Sequence, residues 1–254
     1  MPPAISVYDR VAMAAIRVGA SAFGAAGWEN AFHPAGISPA EFLTYYATQF
    51  DTVEVDSAFY RTPSAATVKG WARKAPDNFI FGLKAPRLIT QETQLADCDE
   101  RFENFVRTAE LPGDELGPML SHFGCFNRSA FSTGARFIAR LKTILQKLPI
   151  KRQFALAFRN KNRLTVEFFD LSREIKVAYT LTDQSWMPRA GGISEKFDPT
   201  IPAFTYIRLL GDRKGIEQQT KISENVTVDD SKQLPSWVDA CDRTNRLVWK
   251  RSRT

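Results

Sequence analysis

The chain is poor in the residues that build most metal and redox sites. Among its 254 residues there are three cysteines and two histidines. Cys98, Cys125 and Cys241 form no CxxC pair, and such a scattered, odd set is typical of reduced thiols in a cytoplasmic protein. His33 and His122 stand in no HxH or HExxH arrangement, which disfavours a zinc centre. We therefore predict no metal site and no cofactor, apart from the Mg²⁺ alternative given below.

Long apolar runs are missing as well. No stretch is long enough to cross a bilayer, and the run between Arg10 and Arg17 is too short and too mixed for a signal peptide. These absences predict a cytoplasmic protein with no membrane partner. The composition, 44% hydrophobic and 24% charged, is ordinary for a globular protein, but the formal net charge is +6. That charge favours anionic partners such as phosphates, acidic metabolites or nucleic acid, and a generic basic surface is the alternative.

Strand-like and helix-like segments alternate from residue 16 onward, which predicts a parallel α/β fold. At 254 residues the length suits one (β/α) barrel of the TIM type. We predict a single barrel domain over residues 16–246, between a flexible leader at 1–15 and a basic tail at 247–254. A doubly wound sheet is the alternative, although residues 19–27 miss the spacing of the dinucleotide fingerprint. Seven strands are predicted, at residues 16–21, 52–57, 79–84, 118–123, 154–158, 177–183 and 204–210, and an eighth could only be 247–249.

The helices are predicted from their start signals and periodicity. Ser38, Pro39 and Glu41 form an N-terminal signature for a helix that ends near Phe50, and Ser64 is an N-cap for the next helix, which reaches Lys74. Residues 184–203 are rich in proline and glycine and are predicted as a long loop. Four further helices are predicted, at residues 99–109, 130–148, 165–174 and 232–243.

Polar residues follow the predicted strands where a barrel places its active site. In the segment TVEVDSAFYRTP, Glu54 and Asp56 share one face of a strand, and two valines share the other. The carboxyl ends of barrel strands converge on one mouth, so charged strand ends are expected to meet there. The predicted acid/base group at this mouth comprises Glu54, Asp56, Lys84 and Asp183. An ion network without catalysis is the alternative, and the three carboxylates could instead hold Mg²⁺.

Other residues are predicted to bind substrate. Arg159 and Arg208 present planar guanidinium groups that match a carboxylate or a phosphate. Tyr60 and Trp186 lie on loops, where they could stack on a base or sugar ring or simply cover the mouth. Beyond the seventh strand, Gly211 and Arg213 open the stretch GDRKGIE, which could bind phosphate through backbone N–H groups or form a tight turn.

Six motifs together resemble the YecE-like family, a domain of unknown function (DUF72). They are TVEVDSAFYRTP at 52–63, KAPRLIT at 84–90, FNRSAF at 126–131, FRNKN at 158–162, TDQSWMPR at 182–189 and FTYIRLLGDRKGIE at 204–217. The resemblance runs from about residue 16 to residue 243. It implies an α/β barrel with a polar site and no particular reaction.

The chain departs from the pattern of that family at several positions. The family has Glu where Ala157 stands, Thr at Ala58, His at Gln91, and Gln-(Phe/Leu)-Pro at residues 122–124. It also continues past Arg243 into a strand, an Asn-Asn-His segment and a final helix, whereas this sequence ends in RLVWKRSRT. The resemblance thus implies a truncation or frame change that removes several functional positions.

Three functions remain open on the sequence. The first is an enzyme that acts on a small phosphorylated or carboxylated compound by acid/base or hydrolytic chemistry. The second is a nucleic-acid-binding protein, favoured by the basic charge and the loop aromatics. The third is a non-catalytic remnant of the barrel. The sequence predicts a small anionic ligand in the first case and gives no oligomeric state.

Overall fold

Six parallel strands form one sheet, in which their order is the same as their order along the chain. In this computed structural model, residues 16–126, 130–131, 133–147, 149, 151–184, 186–197, 204–225, 228–229 and 231–241 are described. The predicted leader, the basic tail and the candidate eighth strand lie outside those residues. The strands are β1 (Thr52–Val55), β2 (Ile80–Lys84), β3 (Leu116–His122), β4 (Phe154–Ala157), β5 (Ala178–Thr182) and β6 (Tyr206–Arg208).

The sheet is strongly curled. Five strand spacings of about 4.8 Å would place β1 and β6 roughly 24 Å apart in a flat sheet. Instead, the hydroxyl group of Tyr206 on β6 lies 2.7 Å from a carboxylate oxygen of Glu54 on β1. Such a contact requires the sheet to bend round until its two edges face each other. The fold is therefore α/β with a six-stranded, half-barrel sheet, so the parallel curled architecture is confirmed and the count of seven strands is not.

Residues 16–21, predicted as the first strand, form no regular strand. The N–H groups of Glu54 and Asp56 on the β1 side bond to the carbonyl groups of Ala20 and Ser21. The two donors are two residues apart, but the two acceptors are adjacent in the segment. The even hydrogen-bond spacing of a parallel ladder is therefore lost. Two N–H groups of the segment go to side chains instead, that of Val18 to Asp51 and that of Ala20 to the hydroxyl group of Tyr46. The segment lies along β1 as an extended, irregular neighbour.

Helices follow the strands, and they cover the outer face of the sheet. Alternation along each strand sends one set of apolar side chains outward, as with Val53 and Phe81, into a core shared with Phe137 and Phe168. Burying an aromatic ring of this kind contributes roughly 1.5–3 kcal/mol. The helices are α1 (Phe42–Gln49), α2 (Ala65–Ala72), α3 (Asp99–Ala109), α4 (Gly134–Leu145), α5 (Val166–Glu174), α6 (Ala190–Lys196) and α7 (Arg213–Gln219), and residues 234–241 are also helical.

The residues predicted to start the first two helices make capping contacts in the structure, whereas a predicted loop is partly helical. Ser64 accepts a hydrogen bond from the N–H group of Thr67 at the start of α2, as expected of an N-cap. The N–H group of Ser38 bonds to the side chain of Glu41, as in the predicted capping pattern. The prediction of a long loop at residues 184–203 is wrong for its middle part. The helix α6 forms there, although it contains two glycines.

The inner face of the sheet is narrow and carries small side chains. Leu120, Ala155, Ala157 and Ala178 form a separate apolar cluster, against which Tyr206 packs. Small residues allow the sheet to curl tightly. A polar layer lies above them, at the carboxyl ends of the strands. That layer contains the candidate site.

Candidate functional site

Glu54 lies at the centre of the polar layer with both carboxylate oxygens occupied. Oε2 accepts a 2.7 Å hydrogen bond from the hydroxyl group of Tyr206. Oε1 lies 2.8 Å from Nη2 of Arg208 as an ion pair, although the two groups are not aligned for a hydrogen bond. Burial and the adjacent carboxylate raise the pKa of Tyr206 well above its usual range, so this phenol stays protonated and remains a donor. Tyr206 was not predicted as a site residue, although its parity with Arg208 on β6 indicated the same face.

Asp56 and Lys84 form the second ion pair of the layer, in which Lys84 is buried and Asp56 is partly exposed. Asp56 starts a short 3₁₀ turn directly after β1, and Lys84 ends β2. Their Oδ1 and Nζ atoms are 2.5 Å apart, and Nη2 of Arg208 lies 3.9 Å from the same Oδ1. Nζ of Lys84 also lies 4.0 Å from the centre of the Phe59 ring. Burial lowers the pKa of Lys84, and the hydrogen bond and charge of Asp56 oppose that shift.

His122 joins the two arginines of the site. Nε2 of His122 lies 3.4 Å from Nε of Arg159, and Nδ1 lies 3.5 Å from Nη1 of Arg208. Burial, together with the charges of Arg208, Lys84 and Arg159, lowers the pKa of His122 to about 2, so the ring is neutral. A neutral imidazole has one acceptor nitrogen, so it can satisfy only one of the two guanidinium groups. His122 was not predicted as a site residue, and its parity with Leu120 on β3 was the available signal.

Two threonines of β5 add hydroxyl groups to the same face. Thr180 and Thr182 are paired in register with Tyr206 and Arg208, whereas Tyr179 and Leu181, which alternate with them along β5, pack outward. The hydroxyl groups of both threonines are buried without a hydrogen-bond partner in the described part of the chain. Such unsatisfied groups are uncommon in folded proteins and often mark a functional site.

Asp183 binds backbone groups of the loop after β6. Its two oxygens accept hydrogen bonds from the backbone N–H groups of Leu210 and Gly211, at 2.7 and 2.9 Å. Gly211 has a positive φ of 57° at this turn, which a glycine adopts without strain. Asp183 thus fixes the loop after β6. Within the ranges that the structure describes, no group of three or more His, Cys, Asp and Glu residues is placed to hold a metal ion.

The remaining predicted residues lie at the rim. Tyr60 and Trp186, on the loops after β1 and β5, are 70% and 51% exposed. Arg159 directly follows β4 and is also exposed, above His122. The side chain of Arg213 lies outside the described residues.

A cavity that the sequence did not predict lies next to Asp183. It has a volume of about 310 Å³, and its walls include Arg189, Glu195 and Trp237. Asp183 and Arg189 belong to the stretch TDQSWMPR, in which only Asp183 and Trp186 were predicted as site residues. The polar layer and this cavity are thus neighbours at the carboxyl end of β5.

The polar layer has more positive than negative charge. Lys84, Arg159 and Arg208 supply three cations, and Glu54 and Asp56 supply two carboxylates. The neutral His122 adds none. One positive charge is therefore not balanced within this group.

None of the helices in the described ranges is both long and apolar enough to cross a membrane. Comparison with known proteins gives the family and the fold. The UPF0759 protein YecE of Escherichia coli (strain K12) is 27% identical over 118 residues, which are 46% of this chain and 41% of YecE. The match therefore spans less than half the length of that relative.

Two solved structures have a similar fold. A DUF72 family protein from Thermotoga maritima MSB8 superposes with a TM-score of 0.66 at 23% identity, covering 91% of this chain and 88% of that one. Another from Enterococcus faecalis V583 gives 0.57 at 20% identity, covering 80% and 81%. The model of the family described as "Protein of unknown function DUF72" matches residues 17–252. This match over nearly the whole sequence shows that the chain belongs to the DUF72 family.

Proposed function

We propose that the polar layer binds a small compound carrying a carboxylate or phosphate group, and that Asp56 and Lys84 exchange protons with it. The observation that carries the proposal is the unbalanced positive charge among Lys84, Arg159 and Arg208. Arg159 lies exposed at the mouth with no carboxylate partner in the described ranges, so an anionic ligand that reaches the mouth can pair with its guanidinium group. Since His122 can accept from only one arginine, the other has an N–H group available for the ligand.

The acid/base part of the proposal depends on the Asp56–Lys84 pair. Burial lowers the pKa of Lys84 from its ordinary value, which favours release of its proton to a neighbouring acceptor. Asp56 is 2.5 Å from the amine and is about one-third exposed, so it borders both the amine and the solvent. A ligand at the mouth would therefore meet a proton donor and an acceptor side by side.

The test is a thermal melt of the purified chain with inorganic phosphate, pyruvate or neutral glycerol. A ligand that binds only the folded state raises the melting temperature by mass action. We expect a rise with at least one of the two anions and none with glycerol. Arg159→Ala should weaken anion binding roughly tenfold to a hundredfold, which is the usual value of a charged hydrogen bond.

Arg101→Ala is the matched control, because Arg101 is an exposed arginine on the surface of α3, away from the strand ends. It should bind the anion as the unaltered chain does. An equal rise with glycerol, or undiminished binding by Arg159→Ala, would contradict the proposal.

Single-stranded nucleic acid is the second candidate ligand, favoured by the exposure of Tyr60 and Trp186 at the rim. Binding to an oligonucleotide should then weaken steeply with salt and fall on Trp186→Ala. Salt-independent binding would exclude this candidate.

A further inference from the structure

Lys84 differs from the other lysines of the described ranges because it alone is buried. Its side chain is 8% exposed and ends at the carboxyl edge of a strand, on the inner face of the sheet. The amine contacts one carboxylate and one aromatic ring, those of Asp56 and Phe59. A desolvated lysine beside other cations is the usual form of an amine that attacks carbonyl groups.

We propose that Lys84 forms a Schiff base with the carbonyl carbon of a short oxo acid bound in the polar layer. This inference rests on the proposed function, because Arg208 and Arg159 would hold the acid group of the same ligand. It adds the substrate class and a covalent step.

The choice of a short oxo acid follows from the spacing of two cations. Nζ of Lys84 and Nη2 of Arg208 lie 2.5 and 3.9 Å from one atom, Oδ1 of Asp56. A ligand that meets both cations must therefore present its anionic group close to its electrophilic carbon. In a 2-oxo acid the carboxylate and the carbonyl carbon are directly bonded, which satisfies this requirement.

The covalent step balances with the groups present. The Lys84 ammonium gives a proton to Asp56, and the free amine adds to the carbonyl carbon, forming the C–N bond. The carbonyl oxygen takes that proton from Asp56. A second proton from nitrogen follows by way of Asp56, the C–O bond breaks, and the oxygen leaves as water. The product is a protonated imine, and no oxidant or reductant is consumed.

The surroundings of Lys84 suit the product as well as the amine. The ammonium and the protonated imine both carry one positive charge, so the ion pair with Asp56 is present before the reaction and is restored in the product. The Phe59 ring, 4.0 Å from Nζ, attracts a cation through its face and shields the imine from water.

The experiment is reductive trapping of the full chain with pyruvate and sodium cyanoborohydride, followed by peptide mass mapping. We expect one reduced pyruvate adduct, located at Lys84 and exceeding that at the exposed Lys69 by roughly tenfold or more. Lactate, which has the acid group but no carbonyl group, should give no adduct. Lys84→Met should abolish the adduct and Lys69→Met should not.

Because Lys84→Met removes the partner of Asp56, Asp56→Asn serves as a second variant that keeps the amine. It should slow trapping at Lys84, since it removes the proton acceptor. The distribution of the adduct over the lysines of the unaltered chain shows whether Lys84 is the reactive amine, even if either variant fails to fold. An absent adduct, or one spread evenly over exposed lysines, would overturn the inference.

Melts with pyruvate and lactate, without reductant, separate this inference from the proposed function. If both acids raise the melting temperature and neither is trapped, the anion site stands and the Schiff base is rejected. If neither acid binds and neither is trapped, the Schiff base is rejected together with binding of these acids.

Discussion

Tyr206 donates a 2.7 Å hydrogen bond to Glu54, and these two residues belong to the first and last strands of the sheet. The bond crosses the inside of the half-barrel, where no backbone ladder connects β1 and β6 in the described sheet. Arg208 adds an ion pair from the same strand to the same carboxylate. The curvature of the sheet and the geometry of the candidate site therefore depend on the same side chains.

Tyr206→Phe is expected to destabilise the fold by about 1–3 kcal/mol, because a buried carboxylate oxygen loses its donor. The free energy of unfolding from urea titration measures this loss. Tyr45→Phe is the control, since its hydroxyl group makes no hydrogen bond within the described ranges, and it should change the free energy by less than about 0.5 kcal/mol. Equal effects of the two substitutions would show that the hydrogen bond does not hold the curled sheet.

The inner face could be predicted because strand periodicity is a local property. Parity placed Glu54 and Asp56 on one face, and Lys84 and Arg208 were expected to meet them at the converging strand ends, where the structure brings them together. The hydrogen bonds of Asp183 could not be predicted. Its partners are N–H groups of the loop after β6, and no local sequence pattern positions that loop. His122 was undervalued for a similar reason, since its role comes from two arginines on other strands.

Residues 16–21 show that contacts distant in sequence also limited the prediction of the fold. Their alternation suggested a strand, but side chains from α1 and the following turn take the N–H groups that a ladder needs. The contact of this segment with β1 is nevertheless close. A Cβ atom on Gly19 would lie only 2.0 Å from the carbonyl oxygen of Thr52.

Gly19→Ala is therefore expected to lower stability by about 1–3 kcal/mol, since either the segment or β1 must shift. The melting temperature is a sufficient measurement. Gly191→Ala is the matched control, because a Cβ atom there meets nothing within 4 Å and Gly191 lies in α6, where alanine is favoured. A neutral Gly19→Ala would mean that residues 16–21 are not docked on β1.

His122 predicts a specific dependence of stability on pH. Its pKa is about 2 in the folded chain against an ordinary value of 6.5, so below pH 6.5 the unfolded chain binds a proton that the folded chain does not. Protonation of the unfolded chain then favours unfolding as the pH falls. Between about pH 7.5 and about pH 5.5, His122 should lower the free energy of unfolding by roughly 1 kcal/mol.

The variant His122→Gln isolates that contribution, because an amide accepts a hydrogen bond from a guanidinium group but does not titrate. The stability difference between this variant and the unaltered chain should change by roughly 1 kcal/mol over that pH interval and stay constant above about pH 7.5. A difference that is constant throughout would mean that His122 is protonated, or exposed, in the folded chain.

Ala157 offers the sharpest test of the surplus charge. It is buried on the inner face and pairs in register with His122, next to Arg159 and Arg208. Ala157→Glu adds a carboxylate that would balance the group. We expect the affinity for whichever anion raises the melting temperature to fall by roughly tenfold or more, because an internal carboxylate competes with the ligand for the arginines. Ala157→Gln has nearly the same size without the charge and should bind more tightly than Ala157→Glu. Equal losses in the two variants would show that crowding, rather than charge, weakens binding, and the argument from the unbalanced cation would fail.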